Sequence, residues 1–97
     1  MVLEDFILQD LIKLAEAFEL QKLILFGSRA TGMCGERSDI DIAASFNSVN
    51  DYLEFCDRVE DIRTLLMFDV VNLSSDMISL DLRKSIEDEG VVIYEKV

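Results

Sequence analysis

The chain has 97 residues, 51% of them hydrophobic, which suits one small globular domain with a buried core. Twenty acids against nine bases give a net charge of −11, and that excludes direct binding to DNA or RNA, where phosphates must be neutralised by basic side chains in number. There is no histidine, Cys34 and Cys56 stand alone, and no run approaches the ~20 apolar residues of a membrane span, so zinc centres, Ser-His or Cys-His catalysis and membrane insertion are set aside.

The start, Met1-Val2-Leu3-Glu4-Asp5, carries acids and lacks the basic opening of a signal peptide, so a cytoplasmic location and free thiols are expected. Leu3, Ile7, Leu11, Leu14 and Phe18 recur at the spacing of one helical face, which predicts a helix over Leu3–Leu20. Lys22–Phe26 reads as a short apolar strand. Gly27 allows a tight turn, and Ser28–Thr31 forms one helical turn before Gly32. Met33–Arg37 reads as a loop and Ser38–Ala44 as a second strand.

After a loop in which Ser48 or Asn50 can cap, a helix is expected from about Asp51 to Leu66, with Phe55, Val59, Ile62 and Leu66 on one stripe. Met67–Leu73 is a third strand. Ser74 or Ser75 caps a last helix through Glu89, with Gly90 as its left-handed end, and Val91–Tyr94 is a final strand. The expected order is α-β-(short α)-β-α-β-α-β, an α/β (α+β) fold in which a small mixed sheet is flanked by helices.

The chemistry concentrates in GSRATGMCGERSDIDI. Asp39 and Asp41 alternate with Ile40 and Ile42, and side chains two apart on a strand share a face. Both carboxylates then point one way and both isoleucines toward the core. Held together, they suit a hard divalent cation, and the Gly27-Ser28 turn suits phosphate oxygens. The plainer alternative is a turn glycine followed by two solvent-facing acids on an edge strand. Asp69 interrupts the apolar run 65–71, where an unpaired buried charge is costly. If its strand lies beside the second, it can join Asp39 and Asp41; otherwise it is an edge acid reaching solvent. Carboxylates ~4 Å apart repel by roughly 4 kcal/mol per pair at an effective dielectric near 20, so without a cation one of them tends to hold its proton. Arg29 can clamp a phosphate or pair with a surface acid.

FGSRA-x-G, then SDIDI, then FDVV, is a pattern that resembles the minimal nucleotidyltransferase (MNT) domains of the DNA polymerase β-like superfamily, and the resemblance runs through the closing GVVIYE. It implies a polymerase β-like nucleotidyltransferase fold over residues 1–97, and nucleotidyl transfer from ATP with one or two Mg²⁺ ions. Gly27, Ser28 and Arg29 would bind the nucleotide. Asp39 and Asp41 would be catalytic metal ligands, and Asp69 would complete the metal site where the nucleophile attacks.

Domains of this size commonly pair with a helical protein of the HEPN type, so a hetero-oligomer is expected. In the preferred reading, the chain is an MNT antitoxin that transfers AMP to a tyrosine of a HEPN toxin. In the second, it is the catalytic subunit of a two-subunit enzyme whose helical partner binds a small acceptor. In the third, it is an antitoxin that binds without turnover.

Overall fold

A four-stranded mixed sheet in the order β3-β2-β1-β4 organises the chain. The computed structural model describes residues 1–35 and 37–97; Glu36, inside the expected loop Met33–Arg37, lies outside the described residues. The elements are α1 (Asp5–Ala17), β1 (Lys22–Phe26), α2 (Ser28–Thr31), β2 (Ile40–Ala44), α3 (Val49–Val59), β3 (Phe68–Asn72), α4 (Leu80–Glu89) and β4 (Val91–Glu95). Their order is the one expected.

β1 pairs antiparallel with both β2 and β4, whereas β2 and β3 run parallel, with α3 as the crossover. Alternation then sorts the side chains. Leu23 and Leu25 of β1 and Ile40 and Ile42 of β2 share one core with Ile7 and Leu11 of α1 and Phe55 and Val59 of α3. Phe18 and Phe46 meet Phe55 edge-on, with ring centres 5.4 and 5.2 Å away. On the opposite face, Phe26 and Ala43 pack with Ile86 of α4, joined by Ile24, Val71 and Leu82. This second layer is the thinner one, and α4 covers only part of it. Among the described residues, no helix is long and apolar enough to cross a membrane.

The three long helices differ from expectation at their ends, each for a local reason. α1 stops at Ala17 instead of Leu20, because Glu19 takes a left-handed conformation (φ 54°) and lets Glu19 and Leu20 donate to Glu16 and Ala15. That is a Schellman closure made without glycine, and it buries Leu20. α3 begins two residues early, capped by Ser48 through the Asp51 amide, and ends at Val59 instead of Leu66. Ile62 still reaches the core, but from a turn in which its amide bonds back to Val59.

α4 begins at Leu80, capped by Ser79 through the Leu82 amide, and not at Ser74 or Ser75. Those serines are taken by local turns: Asn72 Oδ1 accepts from the Ser74 amide and Ser75 Oγ from that of Met77. Gly90 is extended (φ −68°, ψ 149°), not left-handed; a side chain there would strike the Ile86 carbonyl. Replacing the true cap, Ser79→Ala, should lower unfolding free energy by about 1 kcal/mol in urea titrations, while Ser75→Ala should cost less than half of that.

Candidate active site

Phe26, at the end of β1, is the register partner of Asp41 in β2, and Asp41 is the register partner of Asp69 in β3. Paired residues project to the same face of a sheet, so Asp41 and Asp69 stand side by side on the layer that α4 only partly covers. Asp39 lies just before β2, two residues from Asp41, and is exposed, as is Asp69; Asp41 is half-buried. The expected strand Ser38–Ala44 starts at Ile40 instead, because Ser38 is used in a turn where its hydroxyl accepts from the Gly35 amide at 2.9 Å.

Burial raises the Asp41 carboxyl above its ordinary value, and the charges of Asp69 and then Asp39 raise it further. Among the described residues, however, no three metal-ligating side chains are gathered closely enough to hold an ion. Repulsion among like charges favours rotamers that keep such carboxylates apart. In donor chemistry they suit a hard divalent cation, since all three offer carboxylate oxygens, with Asp41 and Asp69 contributed by adjacent strands.

Gly27 joins this acid corner to the turn that follows β1. Its backbone (φ 73°, ψ −156°) lies in a region that side chains disfavour, and a Cβ on it would collide with Asp41 Oδ2. The glycine is therefore required twice, by conformation and by the carboxylate against it. α2 follows at once, and its Ala30 and Thr31 amides donate back to the Gly27 carbonyl, which fixes the turn against β1. The Ser28 hydroxyl has no hydrogen bond within the described residues.

Arg29 is buried, unlike the other site residues, at 5% exposure. Its Nε donates to the Ser38 carbonyl at 3.0 Å and its Nη1 to that of Val2 at 3.1 Å, while the Val2 amide donates to the Arg29 carbonyl. This geometry makes Arg29 a brace that ties the N-terminal segment and the approach to β2 onto α2, and it lends no support to a phosphate clamp. Sequence reasoning missed the brace because both acceptors are main-chain carbonyls, which any residue supplies. Cys56 is half-buried, and burial pushes its thiol pKa up, as expected of an unreactive packing residue.

The sequence matches the family described as "Polymerase beta, Nucleotidyltransferase" over residues 9–97. The chain belongs to that family. This nucleotidyltransferase is also 34% identical over 67 residues to MJ1215 of Methanocaldococcus jannaschii, which bears the name of a protein adenylyltransferase; the match spans 69% of the chain and 72% of the relative. A toxin–antitoxin crystal structure with AMP-PNP superposes on 92% of the chain and 73% of its own, with a TM-score of 0.74 and 26% identity. A tri-AMPylated Shewanella oneidensis HEPN toxin in complex with MNT antitoxin matches in fold, with a TM-score of 0.68 and 23% identity over 93% of the chain and 71% of its own. The fold is thus that of the polymerase β-like nucleotidyltransferases.

Two outcomes test this geometry. Gly27→Ala should lower stability by about 1–3 kcal/mol, read as a fall in Tm, because the added methyl meets both a disfavoured backbone and Asp41. In chelator, Asp41→Asn should be more stable than the parent chain at neutral pH. A carboxyl whose folded pKa is raised adds stability only while protonated, below its ordinary value, and loses it as pH rises through the folded value. The advantage of the asparagine should therefore shrink as pH falls toward 4, which denaturant titrations across pH 3.5–7 would follow.

Proposed function

We propose that the chain is the antitoxin of a HEPN/MNT pair and transfers AMP from ATP to a tyrosine hydroxyl of its HEPN-type partner. The observation that carries this reading is the in-register pairing of Asp41 with Asp69, with Gly27 packed against Asp41. It supports a reading in which the turn after β1 binds phosphate and Asp69 serves the acceptor. The protein-adenylyltransferase name of the Methanocaldococcus relative and the AMPylated toxin beside an MNT antitoxin support AMP as the group and a protein as its acceptor.

In this reading, Ser28 and the amides after Gly27 hold the β- and γ-phosphates. Asp39, Asp41 and Asp69 would hold one or two magnesium ions, which when bound supply charge neutralisation at the entering and leaving oxygens. Asp69 orients the tyrosine hydroxyl and takes its proton. The phenolic oxygen forms a bond to the α-phosphorus as the bond to the pyrophosphate oxygen breaks, so AMP stays on the partner and pyrophosphate leaves. Arg29 contributes by keeping α2 and the approach to β2 in register rather than by touching the nucleotide.

Incubating the purified chain with α-labelled ATP, magnesium and its copurifying partner tests the proposal. Label should appear on the partner protein, and Asp39→Asn should reduce the rate roughly a hundredfold or more. The Asp39→Asn fold should remain intact or become slightly more stable, since one repelling charge is gone. Label on a small molecule would favour the two-subunit small-acceptor reading. Absence of transfer by both the parent and Asp39→Asn chains would favour an antitoxin that acts by binding alone.

A further inference from the structure

β3 is an edge strand, and the acid assigned to the acceptor side sits on it. Ile40 donates to the Met67 carbonyl and Leu73 to that of Ala44, so Met67, Asp69, Val71 and Leu73 turn their main-chain groups toward β2. Phe68, Val70 and Asn72 therefore turn theirs outward. Two of those outward carbonyls are engaged: Tyr52 Oη donates to Val70 at 3.1 Å and the Ser75 amide to Asn72. The amide and carbonyl of Phe68 and the amide of Val70 face no other strand.

A cavity of about 770 Å³ opens along the same edge, starting at Val70 and Val71, immediately after Asp69. Phe46, Val49, Tyr52, Met77 and Leu82 help to line it, and no charged residue does. Met77 is 92% and Val49 67% exposed, an unusual placement for apolar side chains flanking a polar site. Val71 shares the face of Asp69 about 7 Å farther along the strand. Charge lies around it instead: Asp76 and Asp81 are exposed beside lining residues, and Arg83, whose guanidinium is engaged by the Leu73 and Ser75 carbonyls, stands behind them.

Resting on the protein-transfer reading above, we propose that this groove and the open edge of β3 dock an extended segment of the acceptor protein. The segment is apolar where it lies in the groove and basic at its flanks, and it pairs with the main chain of Phe68 and Val70 so that its hydroxyl side chain reaches Asp69. The chemistry selects this occupant. A polycationic small acceptor would need carboxylates in the groove, and the lining offers none. An extended chain uses what is present: unpaired strand-edge groups for its backbone, apolar pockets for alternate side chains, and an acidic rim for its lysines or arginines. The groove begins at Val70, the residue after Asp69, so a segment paired along β3 passes from one to the other.

The probe is a blocked peptide of alternating valine and threonine around a central tyrosine, with paired lysines at each end. It should bind the chain in calorimetry and slow amide exchange at Phe68 and Val70. Val49→Lys and Met77→Lys place a like charge at exposed groove positions outside the acid corner. Each should weaken the peptide about tenfold, the scale of one lost anchor contact, and leave Mg²⁺-ATP binding unchanged. The same peptide with glutamates in place of lysines should bind more weakly still. No binding, unaltered affinity in both lysine variants, or binding without protection of Phe68 and Val70 would overturn the proposal. Binding of the expected kind in a chain that transfers no AMP to any protein would uphold the docking groove and count against the transfer reading instead.

Discussion

Asp41 and Asp69 stand side by side on one partly covered sheet face, with Asp39 just before β2, and much of the molecule can be understood as the means of holding them there. Burial first, and then the like charges of Asp69 and Asp39, raise the Asp41 carboxyl above its ordinary value. The opposing requirement is met by the other face of the same strands. Ile40 and Ile42 are fully buried against α1 and α3, so β2 cannot slip or rotate to relieve the acids without exposing its isoleucines. The core on one side thus imposes the charge cluster on the other.

Coverage of the two faces is correspondingly unequal. The α1/α3 layer carries the aromatic cluster of Phe18, Phe46 and Phe55, whereas α4 contributes chiefly Ile86 and Leu82. A thin second layer leaves Asp41 half-buried, and Asp39 and Asp69 open to a ligand. It also leaves β3 at the sheet edge with a groove beside it. Membership of a nucleotidyltransferase family accords with this arrangement: the turn after β1 and the acid pair of β2 are adjacent because β1 and β2 are antiparallel neighbours.

Where local pattern and tertiary structure part company, backbone chemistry accounts for the difference. α1 ends early through a left-handed glutamate, a closure that sequence rules associate with glycine. α4 starts late because Asn72 and Ser75 spend their side chains on turns that compete with helix. Gly90 is indispensable for want of space and not for its backbone angle. Arg29, a surface or ligand-binding cation by type, is buried by two carbonyls that no motif announces.

The one-dimensional pattern by itself determined β1 at Lys22–Phe26, the turn of helix at Ser28–Thr31, the order of elements, and the inward facing of Ile40 and Ile42, because period-two alternation and a glycine-led turn are local properties. It could not determine which side of the sheet Asp69 would occupy. That depended on the parallel register of β3 against β2, a pairing between residues nearly thirty positions apart and set by how α3 packs across the sheet. The groove beside Asp69 and the burial of Arg29 were decided in the same way, by contacts between segments whose local patterns carry no information about each other.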